Sequence, residues 1–139
     1  VRAIREGSVV FPNEPLITVR GPFIQALLLE TMLLLIINHQ TMIATKANRI
    51  VRYSQGRTIM EFGSRRAHGP DAANLGARAA YISGVVGSAN TLTDYAYGIP
   101  ALGTMAHSWV QSFDSEYEAF KVYAETYPDN TVLLIHMTL

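Results

Sequence analysis

Apolar and polar positions follow two rhythms along this chain. Up to about residue 55 the apolar residues come in blocks. Short β-like pieces at Ser8–Phe11 and Leu16–Val19 flank a Pro12-Asn13-Glu14-Pro15 turn, and Gly21-Pro22 closes that pattern. A long apolar stretch then predicts a helix over roughly 23–53, with an interruption near Asn38. Its most apolar run, Phe23 to Ile37, holds Gln25 and Glu30 and is followed by Asn38-His39-Gln40. That is short for a membrane span, so a buried core helix is expected.

From Thr58 onward short apolar runs alternate with helical spacing. The pattern predicts strand 58–62, helix 70–82, strand 84–87, a helical turn at 90–97, strand 101–105, helix 114–127 and strand 132–136. Alternation of this kind predicts an α/β fold built from parallel βα units. The spacing suits part of an α/β barrel, with an open doubly wound sheet as the alternative. About four such units cannot close a barrel. The chain lacks an initiator Met and ends on a buried-type strand, so an excerpt of a larger protein is expected.

Composition narrows the chemistry. An apolar content of 49% with 16% charged residues describes a globular chain. Formal net charge is zero, which gives no general surface for nucleic acid or anionic membrane. The charges are segregated, however: residues 1–66 carry nine cations and four acids, and residues 67–139 two cations and seven acids. Without cysteine there is no disulfide, thiolate nucleophile or cysteine-ligated metal. That and the absence of a signal-like N-terminus predict a cytoplasmic protein. Gly-x-Gly-x-x-Gly and Gly-Lys-Ser/Thr motifs are also absent.

Three places can carry chemistry. In Glu61-Phe62-Gly63-Ser64-Arg65-Arg66-Ala67-His68-Gly69-Pro70-Asp71 a strand turns into a helix through two adjacent arginines. Gly63 is expected to supply the bend and Pro70-Asp71 the helix start. Arg65 and Arg66 there form a candidate anion site, because a guanidinium fork binds phosphate or carboxylate bidentately. The competing reading pairs them with Glu61 or Asp71 on the surface. In Gly103-Thr104-Met105-Ala106-His107-Ser108-Trp109, at a predicted strand end, His107 suits nucleophilic or acid–base work, and Thr104 and Ser108 can donate hydrogen bonds. In Gly87-Ser88-Ala89-Asn90 the small polar groups suit ribose or phosphate, and Asn90 serves equally as a helix N-cap. His39, His68, His107 and His136 stand at no metal-ligand spacing.

Taken in order, these motifs resemble the nicotinate phosphoribosyltransferase family over essentially the whole chain. Gly76-Ala77-Arg78-Ala79-Ala80-Tyr81-Ile82, Gly98-Ile99-Pro100 and the Ser115-to-Pro128 stretch fit the same pattern. The resemblance implies a type II phosphoribosyltransferase fold. Residues 1–55 would end an N-terminal α+β portion, contributing a β segment and the long helix of a second domain. Residues 56–139 would be the incomplete first half of the α/β-barrel catalytic domain. It implies formation of nicotinate mononucleotide from nicotinate and phosphoribosyl pyrophosphate, coupled to ATP hydrolysis, in NAD salvage. His107 is then the histidine that ATP phosphorylates. Arg65, Thr104, Arg66, Asn90 and Ser108 lie on the substrate side. ATP comes with Mg²⁺ held mainly through phosphates, and the parent is a homodimer. The family usually has Gly-Thr-Ser-Asn where this chain has Gly87-Ser88-Ala89-Asn90, and Asp-Thr-Tyr-Asp where it has His136-Met137-Thr138-Leu139. The fragment alone is therefore expected to be inactive. A truncated non-catalytic copy, a subunit-interaction fragment and nicotinamide phosphoribosyltransferase are the alternatives. Quinolinate phosphoribosyltransferase, which uses no ATP, shares only the general fold.

Overall fold

The structure is a computed structural model that describes residues 1–128. It divides into two compact units, Val1–Leu102 and Gly103–Leu139. The long helix and the helix after the arginine turn share the first unit.

The first unit opens with an antiparallel pair, β1 (Arg2–Ala3) and β2 (Ile17–Thr18), with Arg2 opposite Thr18. The strand expected at Ser8–Phe11 does not form. Local turns take its donors: Ser8 N–H donates to the Arg5 carbonyl at 3.2 Å and Phe11 N–H to the Glu14 carboxylate at 2.9 Å.

Helix α1 (Phe23–Tyr53) is continuous through Asn38. Some of its polar side chains bond back along the helix. Thr45 Oγ1, for example, donates to the Thr41 carbonyl at 2.7 Å. The buried core helix expected from the sequence is not observed. Only Ala47 of α1 is buried, and Leu28 and Leu35 are 76% and 70% exposed. Helix α2 packs on α1 through its C-terminal part, where Ile43, Ala47 and Val51 meet Ala80, Val85 and Ile59. Among the described residues nothing covers the Phe23–Ile37 half. By length and composition α1 could also cross a membrane.

Helix α2 (Pro70–Ile82) has the bounds expected from the sequence. Gly69, at φ 107°, supplies the conformation that precedes Pro70. Gly76, Ala77, Ala79 and Ala80 form its buried face. A Cβ at Gly76 would lie 3.1 Å from Ile43 Cδ1, so the two helices approach closely there. One long-range tie fastens the N-terminal segment to α2: Arg78 grips Glu6 bidentately, at 2.6 and 2.8 Å.

The parallel element is short. Val86 N–H donates to the Ile59 carbonyl, Glu61 N–H to Gly87 and Ala89 N–H to Glu61, at 2.9–3.0 Å. On the other side Ser88 N–H donates to Pro100 and Leu102 N–H to Ser88, at 3.1 and 2.9 Å. Glu61 thus bridges Ser88 in parallel, and Ser88 bridges Ala101. Three segments lie side by side in sequence order. Helix α2 connects the first pair and α3 (Thr91–Tyr97) the second, with Gly98 ending α3 in a left-handed cap. Of the strand expected at 101–105, only Ala101 and Leu102 join this ladder.

In the second unit a four-residue helix, α4 (His107–Val110), is followed by α5 (Glu116–Thr126), whose Ser115 cap accepts from Glu118 N–H at 3.2 Å. Ala119 is fully buried, and Trp109 meets Phe113 edge-on at 4.8 Å. The strand expected at 132–136 lies outside the described residues.

The Glu6–Arg78 tie carries a pH signature. The hydrogen bonds from Arg78 hold the Glu6 carboxyl below its ordinary value of 4.5, against a smaller opposing effect of burial. A carboxylate with a lowered native pKa adds stability above its unfolded pKa and loses it as pH falls through the native value. Glu6 is exposed and Arg78 half-buried, so solvent screens the pair and its worth is only about 0.5 kcal/mol. Followed by the Arg78 Nε chemical shift, the wild type should show an acid transition below pH 4.5. Glu6→Gln should abolish it.

Candidate functional site

The ends of the first two parallel segments place Glu61, Ser88 and Asn90 together. Main-chain bonds on both sides fix Glu61, and its side chain reaches across to the neighbouring segment. Ser88, 1% exposed, donates its hydroxyl to Glu61 Oε2 at 2.6 Å and accepts from Asn90 N–H at 3.0 Å. The other carboxylate oxygen, Oε1, accepts the Gly63 N–H.

That last bond changes the reading of Gly63. Its φ of −84° is open to any residue, so the bend does not need a glycine. What it needs is space, because a Cβ there would sit 2.7 Å from Glu61 Oε1. Beyond Gly63 the chain makes one 3-10 turn, Ser64–Arg66, with Arg66 N–H donating to Gly63 and Ala67 N–H to Ser64. Both arginines of the turn are exposed. The surface pairing with Glu61 or Asp71 does not occur. Among the described residues the ion pairs are Arg78–Glu6 and Lys121–Glu125, and Glu61 is occupied by Gly63 and Ser88. The Ser64 hydroxyl oxygen is buried with no partner among the described residues.

Asn90 divides its side chain between two structural tasks. Its Oδ1 caps α3 by accepting from Leu92 N–H at 3.2 Å, and its Nδ2 donates to Asn74 Oδ1 on α2 at 2.7 Å. The N-cap that its sequence allows is formed. Asn74 is the member of this network that sequence alone does not single out. Ser88 lies in the Gly87-to-Asn90 stretch whose small polar groups the sequence offers for ribose or phosphate; here its hydroxyl goes to Glu61.

In the second unit His107 and Ser108 occupy the first turn of α4, both exposed, and Thr104 is half-buried beside buried Met105. The turn is closed by Trp109 and Val110 N–H groups donating to the Ala106 carbonyl at 3.0 and 3.3 Å. Thus Arg65, Arg66 and Asn90 belong to one unit, and Thr104, His107 and Ser108 to the other. Among the described residues no group of three or more histidines or carboxylates could hold a metal ion.

Residues 57–133 match the model of the nicotinate phosphoribosyltransferase (NAPRTase) family. That stretch is more than half of the chain and includes both the double-arginine turn and the His107 segment. The chain belongs to the nicotinate phosphoribosyltransferase family. It is 50% identical over 135 residues to a nicotinate phosphoribosyltransferase of Mycobacterium tuberculosis, which covers 97% of this chain and 29% of that protein. The Bacillus subtilis nicotinate phosphoribosyltransferase is 48% identical over 132 residues, covering 95% of this chain and 27% of its own length. The crystal structure of human nicotinic acid phosphoribosyltransferase superposes with a TM-score of 0.73 at 39% identity, over 80% of this chain and 22% of that one. The chain therefore spans less than a third of these nicotinate phosphoribosyltransferases. Its family membership is as its motifs indicate.

Proposed function

We propose that these residues are part of an ATP-coupled nicotinate phosphoribosyltransferase, which forms nicotinate mononucleotide from nicotinate and phosphoribosyl pyrophosphate. The carrying observation is the Arg65–Arg66 turn. Two exposed guanidiniums, paired with no carboxylate among the described residues, stand at the C-terminal end of a parallel segment, where α/β folds collect ligands. Arginine there suits the pyrophosphate that departs and the carboxylate of nicotinate. Holding both reactants in line supplies much of the rate gain expected of such a site.

His107 is proposed as the phosphoryl acceptor. One ring nitrogen attacks the terminal phosphorus of ATP, a P–N bond forms, the P–O bond to ADP breaks, and the ring proton passes to solvent. Its exposure suits attack on a bulky nucleotide. Thr104 and Ser108 would hydrogen-bond substrate beside it. Asn90 acts indirectly, since its side chain is spent on α3 and Asn74. Mg²⁺ would arrive bound mainly through the substrate phosphates. The sequence-ordered parallel segments favour a barrel over a doubly wound sheet, whose strand order reverses at a switch point. The parent would be a cytoplasmic homodimer, with α1 from its second domain. These residues alone would turn over no nicotinate.

The test is nicotinate mononucleotide formation by the full-length protein with and without ATP. Wild type should accelerate with ATP and His107→Ala should not, while keeping a basal rate. A His107→Ala protein still stimulated by ATP would overturn the phosphohistidine assignment. Preference for nicotinamide would overturn the substrate.

A further inference from the structure

We infer that Glu61 is the positioning residue that presets the anion-binding turn. The inference rests on the proposed role of Arg65 and Arg66. The main chain of Glu61 is locked by a donated bond to Gly87 and an accepted bond from Ala89, both 2.9 Å. Its two carboxylate oxygens then take one donor each: Gly63 N–H at the start of the turn and the buried Ser88 hydroxyl on the neighbouring segment. The carbonyl of that same Gly63 accepts from Arg66 N–H at 2.9 Å. A continuous path therefore runs from the ladder through the carboxylate to the peptide that carries the arginines. It continues through Ser88 to Asn90 and Asn74, so the starts of α2 and α3 are registered to the same group.

The arrangement suits a carboxylate of this length. Two donors converge on it, and only a carboxylate is acceptor at both oxygens. A carboxamide can keep both partners only by turning a donor toward Ser88 Oγ, which already accepts from Asn90 N–H, and it exchanges charge-assisted bonds for weaker neutral ones. Aspartate is one methylene shorter and cannot span both. Position 88 needs a hydroxyl that donates to Glu61, which threonine also carries. The negative charge lies behind the turn and is neutralised by neither arginine among the described residues, which leaves both guanidiniums available to an anion.

Preset geometry shows in affinity for the anion more than in the chemical step. Losing one charge-assisted hydrogen bond corresponds to about tenfold in binding. In the full-length protein, inorganic pyrophosphate binding by calorimetry should weaken about tenfold in Glu61→Gln. KM for phosphoribosyl pyrophosphate should rise similarly, with kcat within about twofold. Ser88→Ala should weaken binding and Ser88→Thr should restore it. Unchanged pyrophosphate affinity in Glu61→Gln would overturn the inference. So would a loss that merely follows the folded fraction by circular dichroism, or Ser88→Thr binding as poorly as Ser88→Ala. If the wild type turns over no nicotinate but Glu61→Gln still weakens pyrophosphate binding, the functional reading falls and the positioning role stands. A wild type that binds no pyrophosphate refutes the positioning role itself.

Discussion

Replacing Gly87 by alanine should unseat the parallel ladder and cost about 3 kcal/mol, a large fraction of a small domain's stability. The added Cβ would lie 2.5 Å from the Pro100 carbonyl oxygen and 2.6 Å from Leu102 Cδ1. The leucine can rotate away, but the carbonyl cannot, because it is held by Ser88 N–H at 3.1 Å. Relief requires the third segment to move off the second, which breaks both bonds joining them. Urea unfolding monitored by circular dichroism should show a lower midpoint. Gly21, where an added Cβ would meet nothing within 4 Å, is the control, and Gly21→Ala should unfold within about 0.5 kcal/mol of wild type. Equal midpoints for the two variants would remove the close-approach argument.

Asn90→Ala should be the second large loss, about 2 kcal/mol, from two separable sources. The N-cap contributes about 1 kcal/mol. The rest comes from stranding the half-buried Asn74 amide, a cost of about 1 kcal/mol or more. Asn90→Ser divides them, because serine caps a helix but is too short to reach Asn74. Its loss should be about half that of alanine in the same unfolding measurement. If serine were as damaging as alanine, the cap would contribute nothing. If alanine were silent, neither bond would matter.

The helices were largely legible in the sequence because their signals are local. Pro70 after Gly69 and the run to Ile82 fix α2. Asn90 and Gly98 bracket α3, and Ser115 caps α5. The parallel segments were legible as apolar runs, but their lengths were not. Pairing depends on a neighbour far away in sequence, so strand 101–105 shrinks to what Ser88 can bond. Ser8–Phe11 departs from expectation for a related reason: its alternation is β-like, but local turns claim its donors first. At the candidate site the double arginine was readable from residue type alone. The partner of Glu61 was not. Proximity on the chain suggested an arginine, whereas the fold delivers a hydroxyl twenty-seven residues away. Gly63 is a similar case, since a glycine kept for space and one kept for φ look identical in sequence. The exposure of α1 was illegible because apolarity reveals that a face wants covering, not what covers it.

That uncovered face also matters during synthesis. Helix α1 leaves the ribosome before α2 exists. At usual elongation rates the residues from Tyr53 to Ile82 take roughly 2 to 6 s to follow. Even then α2 shelters only the Ile43–Val51 end, and among the described residues nothing covers Phe23 to Ile37. For that interval the nascent chain is a natural client for chaperones that hold apolar helices, and its yield in a cell should depend on their supply as much as on its final stability.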